Sequence, residues 1–197
     1  MNLPNKLTML RLILVPFYVF FLLMPSIPHH YLVALLIFAA ASYTDHLDGK
    51  MARKRNMITD FGKFADPLAD KIMIFAAIAC FIQLGLTGAV VLIITAAREF
   101  AVTSVRLVAA NRGKVVAANI WGKLKTVSQM AAVLVILVLQ YLLELDTLGV
   151  LHFADHDSVS FWFYVAGEVL LWISVLFTVI SGIIYIRQNF DYIKTAK

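Results

Sequence analysis

Residues 44–71 read Thr-Asp-His-Leu-Asp-Gly-Lys-Met-Ala-Arg-Lys-Arg-Asn-Met-Ile-Thr-Asp-Phe-Gly-Lys-Phe-Ala-Asp-Pro-Leu-Ala-Asp-Lys. This is the longest non-apolar segment of the chain, and apolar stretches flank it on both sides. Asp45 and Asp48 are three residues apart, so a helix would carry both carboxylates on one face. Gly49 and Ala52 lie close to that face and leave it sterically open. Asp66 and Asp70 are four apart and again share a face, with Gly62 four residues before Asp66. Pro67 fits the first turn of a helix, where a missing N–H costs nothing. The segment therefore reads as the end of one helix and the start of the next, each with an aspartate pair beside a small residue.

Outward from this segment the chain becomes strongly apolar. Of its 197 residues 61% are hydrophobic and 15% charged, with a mean hydropathy of +0.85. Soluble domains carry about a quarter charged residues, and one soluble domain of this length could not hide so much apolar surface. Lipid must be the solvent for much of it. Apolar stretches fall at Leu7–Met24, Tyr31–Tyr43, Ile72–Leu86, Gly88–Ala110, Thr126–Leu145 and Phe161–Ile186. A spanning helix needs about 20 mostly apolar residues, so the second and third stretches suffice only if their helices continue into the polar flanks. The expected fold class is all-α: a polytopic membrane protein of six transmembrane helices, one domain over residues 1–197, with a cytoplasm-facing polar cavity. Lys6 and Arg11 precede the first apolar run, but no small-residue cleavage site follows, so this run reads as a retained membrane helix.

Lys and Arg occur at the N-terminus, from Lys50 to Lys71, from Arg98 to Lys125 and from Arg187 onward. The connections around Pro25–His30, Gly85–Thr87 and Glu144–Ser160 contain none. Positive charge near helix ends marks the cytoplasmic side. Both termini are thus expected in the cytoplasm, with Glu144, Asp146, Asp155 and Asp157 outside. The net charge of +5 is then a matter of topology, which argues against nucleic acid as a partner. With no targeting extension before the first helix, a bacterial plasma membrane is the expected location. Cys80 is the sole cysteine and lies in an apolar run, which suits a buried filler; no intramolecular disulfide is possible.

Two aspartate pairs brought together would make an all-oxygen site suited to Mg2+ or Mn2+. Four carboxylates carry four negative charges, which two divalent ions would neutralise. An uncompensated charge deep in a bilayer costs about 2.5–3.5 kcal/mol on insertion scales, and two-metal sites suit displacement at phosphorus. The competing reading is a solvated loop in which the aspartates pair with Lys50, Arg53 and Lys54.

The order Asp45-x-x-Asp48-Gly49-x-x-Ala52-Arg53, then Gly62-x-x-x-Asp66-x-x-x-Asp70, resembles the signature of the CDP-alcohol phosphotransferase family at every defining position. The resemblance implies six transmembrane helices, a cytoplasm-facing site and a homodimer. It also implies that Asp45, Asp48, Asp66 and Asp70 ligate two divalent cations, Mg2+ or Mn2+, and that Asp70 is the general base toward the acceptor hydroxyl. Gly49, Arg53 and Thr59 would contact the CDP moiety, with Gly62 allowing close backbone approach. His46 lies at a variable position of the motif and reads as packing or surface.

Asn5, Thr8 and Arg11 recur at intervals of three and share a face at the mouth of the first helix. Capping by Asn5 would account for part of this; the resemblance implies that the face also holds the nucleotide. Arg98 lies within an apolar helix, where a cation usually has a partner or a purpose. Neighbouring Glu99 is poorly placed to be that partner, since adjacent side chains do not face each other well. Arg98 and Arg106, eight apart, are expected close to one face, where they could form a second anion pocket.

The stretch Arg98-Glu99-Phe100 with Arg106, and Gly122-Lys123-Leu124-Lys125-Thr126, resemble the branch of the family that makes phosphatidylglycerophosphate from CDP-diacylglycerol and glycerol 3-phosphate. Arg98, Arg106, Lys123 and Lys125 would then hold the acceptor phosphate. Lys123 and Lys125 cannot point the same way on a regular helix, so either Gly122 marks a loop or one lysine reaches the site. The rival acceptors within the family are those of cardiolipin synthase and phosphatidylinositol phosphate synthase. An intramembrane prenyltransferase would need longer aspartate motifs, and a cation transporter would carry its acidic residues in mid-span. Trp121, Trp162 and Trp172 read as an interfacial belt, and His152, Asp155, His156 and Asp157 as a solvated outer loop.

Overall fold

A computed structural model describes the backbone of residues 3–55, 60–111 and 120–190, and the side chains of residues 5–44, 68–69, 71–110 and 120–190. It is all-α, with helices α1 (Leu3–Leu22), α2 (His30–Arg55), α3 (Asp60–Gln83), α4 (Ala89–Asn111), α5 (Ile120–Thr147) and α6 (His156–Gln188). As the length argument required, α2 continues past its apolar stretch through Asp45 and Asp48, and α3 begins well before its own. Among the described residues, Asn5–Leu22, Ile120–Thr147 and His156–Gln188 are long and apolar enough to cross a membrane, and His30–Thr44 and Lys71–Gln83 are shorter apolar segments.

The core is an apolar seam of Tyr18 and Leu22 from α1, Phe38 from α2, Ile78 and Phe81 from α3, Leu137 from α5 and Leu171 from α6, all essentially inaccessible. Cys80 is buried in it, as expected of a filler. Helix α1 packs against α2 and α3, α5 against α2, α3 and α6, and α4 against α3 and α6. The outward faces are apolar too. Ile13, Phe17 and Phe20 on α1 and Phe161, Trp162, Trp172, Ile173, Leu176 and Ile183 on α6 are exposed, a pattern that lipid satisfies and water does not.

Successive helices alternate in direction. The end of α1, the starts of α2 and α6 and the ends of α3 and α5 meet around one cavity lined by Leu22, His30, Leu84, Glu144 and His156. Here Gly85 and Gly149 adopt positive φ just past α3 and α5. Leu86 N–H reaches back to Phe81 O at 2.8 Å and Val150 N–H to Leu145 O at 2.9 Å, so each glycine lets the chain fold back over the last carbonyls.

Glu144 departs from expectation. Rather than standing in an outer loop, it lies within α5 with 9% exposure. Its carboxylate accepts the backbone N–H groups of His30 at 3.0 Å and Tyr31 at 3.2 Å. The first N–H groups of α2 have no partner inside the helix. Buried between helices they need an acceptor, and α5 runs far enough to bring one. Asp146, also in α5, pairs with His156 at 2.5 Å, while Asp155 caps α6 through Ser158 and stays exposed.

Candidate active site

At the opposite end, α1 presents Asn5, Thr8 and Arg11 inward, with exposures of 6%, 0% and 3%. The shared face is therefore a buried one. Asn5 lies inside α1, beyond its start at Leu3, so it does not occupy the cap position; none of the three lacks a partner. Arg11 borders a small cavity, about 20 Å3, with Ala41 and Ser42 of α2, Ala69, Met73 and Ile74 of α3, and Met130 of α5.

The side chains of Asp45, Asp48, Asp66 and Asp70 lie outside the described residues, as do those of His46, Gly49, Arg53 and Gly62 and the whole of Thr59. The backbones of α2 and α3 are described, so the arithmetic of an ideal helix can be set beside them. Each residue advances about 100° around the axis. On α2 the cavity-lining Phe38, Ala41 and Ser42 span an arc of roughly 100°. Position 45 falls inside that arc and position 48 roughly 20° beyond its edge. On α3, positions 66 and 70 both fall inside the arc spanned by Ala69, Met73 and Ile74.

A cluster of charged side chains joins α4, α5 and α6. Glu99 Oε1 accepts from Arg98 Nη1 at 2.6 Å and from Lys125 Nζ at 2.7 Å. Arg98 Nη2 donates to Ser181 Oγ at 2.6 Å. All three ionised side chains are close to nine-tenths buried, and Arg98 Nε has no partner among the described residues. Glu99, expected to be poorly placed for its neighbour, is its partner after all. Lys125, arriving from α5, holds the Glu99 carboxylate where the long Arg98 side chain can reach it. Lys71 of α3 extends the network: its Nζ donates to Thr103 Oγ1, whose own proton goes to Glu99 O at 2.7 Å.

Gly122 and Lys123 lie on α5, not in a loop. The helix turns Lys125 into the bundle and leaves Lys123 exposed. Arg106 is also exposed; two turns and about 12 Å along α4 from Arg98, and about 80° around it, it does not join the cluster. Lys71, Thr103, Ser181 and Gly182 escaped the sequence reading. Lys71 counted only among the cations near helix ends, and Ser181 and Gly182 lie in a long apolar stretch with no local mark to single them out.

A family model described as CDP-alcohol phosphatidyltransferase matches residues 1–180. The chain is 41% identical to the CDP-diacylglycerol–glycerol-3-phosphate 3-phosphatidyltransferase of Bacillus subtilis, across 99% of this chain and 98% of that one. It is 38% identical to a probable phosphatidylglycerophosphate synthase of Mycobacterium tuberculosis, over 95% of this chain and 81% of the relative. A Rickettsia bellii CDP-diacylglycerol–glycerol-3-phosphate 3-phosphatidyltransferase is 31% identical over 97% of both chains.

Proposed function

The chain belongs to the CDP-alcohol phosphatidyltransferase family, and from that premise we propose that it transfers the phosphatidyl group of CDP-diacylglycerol to glycerol 3-phosphate, giving phosphatidylglycerophosphate and CMP. The names of relatives aligned over nearly the whole chain support the reaction. The observation that carries the choice of acceptor is the buried pairing of Arg98 and Lys125 on the single carboxylate of Glu99. Two cations against one anion leave a positive surplus in a largely water-free setting, which suits a substrate that is itself a phosphate.

In this reading, Asp45, Asp48, Asp66 and Asp70 hold two divalent cations, Mg2+ or Mn2+. An all-carboxylate donor set fits hard cations, and ideal helical spacing would put three of the four positions within the arcs spanned by the cavity-lining residues of α2 and α3. When bound, the metals supply charge neutralisation for the carboxylates and the diphosphate. Asp70 takes the proton of an acceptor hydroxyl as that oxygen bonds to the phosphatidyl phosphorus, and the bond from phosphorus to the CMP oxygen breaks. Arg98 and Lys125 fix the acceptor through its phosphate, so the hydroxyl arrives oriented. Gly49, Arg53, Thr59 and Gly62 receive the cytidine diphosphate, with Asn5 and Thr8 lining its approach. Arg106 and Lys123, both exposed, add positive potential at the entrance.

All six helices span a bacterial plasma membrane in this proposal, with both termini and the site in the cytoplasm, and the enzyme works as a homodimer. The distribution of Lys and Arg supports that orientation: residues 23–29, 84–88 and 148–155, which join helices at the cavity bordered by Glu144, contain neither. Release of CMP from CDP-diacylglycerol, measured with glycerol 3-phosphate, phosphatidylglycerol or inositol phosphate as acceptor, tests the reaction. Glycerol 3-phosphate alone should support turnover. Equal turnover with phosphatidylglycerol would overturn the reading.

A further inference from the structure

Lys71 stands immediately after Asp70, yet its ammonium group is directed to α4. Lysines near helix ends in membrane proteins commonly extend toward the interface; this one is tied to Thr103 Oγ1. The donor assignment is unambiguous, because the Thr103 hydroxyl proton is already given to Glu99 O, leaving its oxygen to accept. Of the three ammonium hydrogens, one is thereby used.

The charge count around Glu99 then changes. Arg98, Lys125 and Lys71 carry three positive charges against one carboxylate, a surplus of two. A phosphate monoester carries about −1.5 to −2 near neutral pH, and a diester only one. Without Lys71 the surplus is one, short of the charge a monoester brings.

We propose that Lys71 is a third cation of the acceptor-phosphate site, positioned by Thr103, and that it sets the preference for an acceptor bearing a phosphate monoester. This rests on the reading of the reaction given above. Because residues 70 and 71 are consecutive, with α-carbons about 3.8 Å apart, one turn of α3 carries both the proposed base and a phosphate contact. Gripping the phosphate therefore also sets the distance between Asp70 and the acceptor hydroxyl. Arg98 and Lys125, held by Glu99, bind from α4 and α5; Lys71 is the link from that cluster to the aspartate-bearing helix.

The test is steady-state kinetics of the purified full-length enzyme, with each substrate varied in turn and inorganic phosphate as inhibitor. Lys71→Met should raise the KM for glycerol 3-phosphate and the Ki for inorganic phosphate by about ten- to a hundredfold, the range for losing a hydrogen bond to a charged group. The KM for CDP-diacylglycerol should stay within about twofold, and Lys71→Arg should recover most of the loss. Thr103→Val, which keeps the side-chain shape, should shift the same two constants in the same direction by a smaller factor, and decides the matter if Lys71→Met fails to fold. Equal changes in both KM values, or an unchanged acceptor KM in an active variant, would overturn the role of Lys71 alone. A wild-type enzyme that releases no CMP with glycerol 3-phosphate would overturn the reaction and this role together.

Discussion

Gly182 of α6 lies directly against the stem of Arg98: a Cβ added there would stand 2.9 Å from Arg98 Cγ. The atom met is in the middle of the side chain, so relief requires moving the whole arginine. Gly122 of α5 faces the same guanidinium with more room, its added Cβ meeting Ser181 Oγ at 3.8 Å and Arg98 Nη2 at 3.9 Å. Gly182→Ala should therefore lower kcat/KM for glycerol 3-phosphate by roughly ten- to a hundredfold, the range for misplacing a positioning group by about 1 Å. Gly122→Ala should fold and turn over normally, with a small gain in helix stability. Acceptor kinetics on the two variants separate close packing from a general dislike of alanine.

Lys125 and Lys123 should behave oppositely although only Leu124 separates them. Lys125→Met removes a buried partner of Glu99 and should lose about tenfold or more in acceptor kcat/KM at any salt concentration. Lys123 is exposed, so Lys123→Met should cost at most a few-fold, and that loss should vanish near 1 M salt, where screening acts within about 3 Å. Kinetics at low and high ionic strength check both.

Removal of divalent metal by a chelator should abolish CMP release, with recovery on adding Mg2+ or Mn2+. Asp70→Asn should lower kcat by at least about a hundredfold, since general-base loss alone is worth ~10²–10⁴. Near-normal turnover of Asp70→Asn would remove the base assignment.

Glu144→Ala strands two N–H groups of α2 in a buried setting. The expected destabilisation is about 1–3 kcal/mol, or several degrees in unfolding temperature. Thermal unfolding in detergent measures it, while kcat per folded molecule should be nearly unchanged because the contact lies at the far end from Asp70.

Asp155 should contribute a pH-dependent part of stability. The Ser158 hydroxyl, followed by the Ser158 backbone N–H, holds its carboxyl below the ordinary value of 3.8. A depressed value in the folded state means the stabilisation is complete above the unfolded pKa and fades as pH falls through the folded one. The difference in unfolding temperature between wild type and Asp155→Ala should be constant from about pH 8 to 5.5 and shrink below about pH 4.

Much of this molecule was legible in one dimension. Apolar stretches located the six helices, because a chain in an apolar setting satisfies its backbone within each helix. Spacing alone put Asn5, Thr8 and Arg11 on one face, and the same arithmetic ruled that Lys123 and Lys125 diverge. Helix ends were read less well. The extension of α5 to Ile120 and Thr147 turned Gly122 into a helical residue and Glu144 into a buried one.

What separates the two kinds of knowledge is range. Membrane residence, the helix count and the spacing of the aspartates are read from residues within a few turns of one another, where geometry is set by the backbone itself. The Arg98–Glu99–Lys125 cluster, its tether to Ser181 and the reach of Lys71 to Thr103 join four helices across up to 83 positions of chain. Such contacts depend on how the helices rotate against each other in packing, a choice that side chains on all of them make together and that no local pattern records.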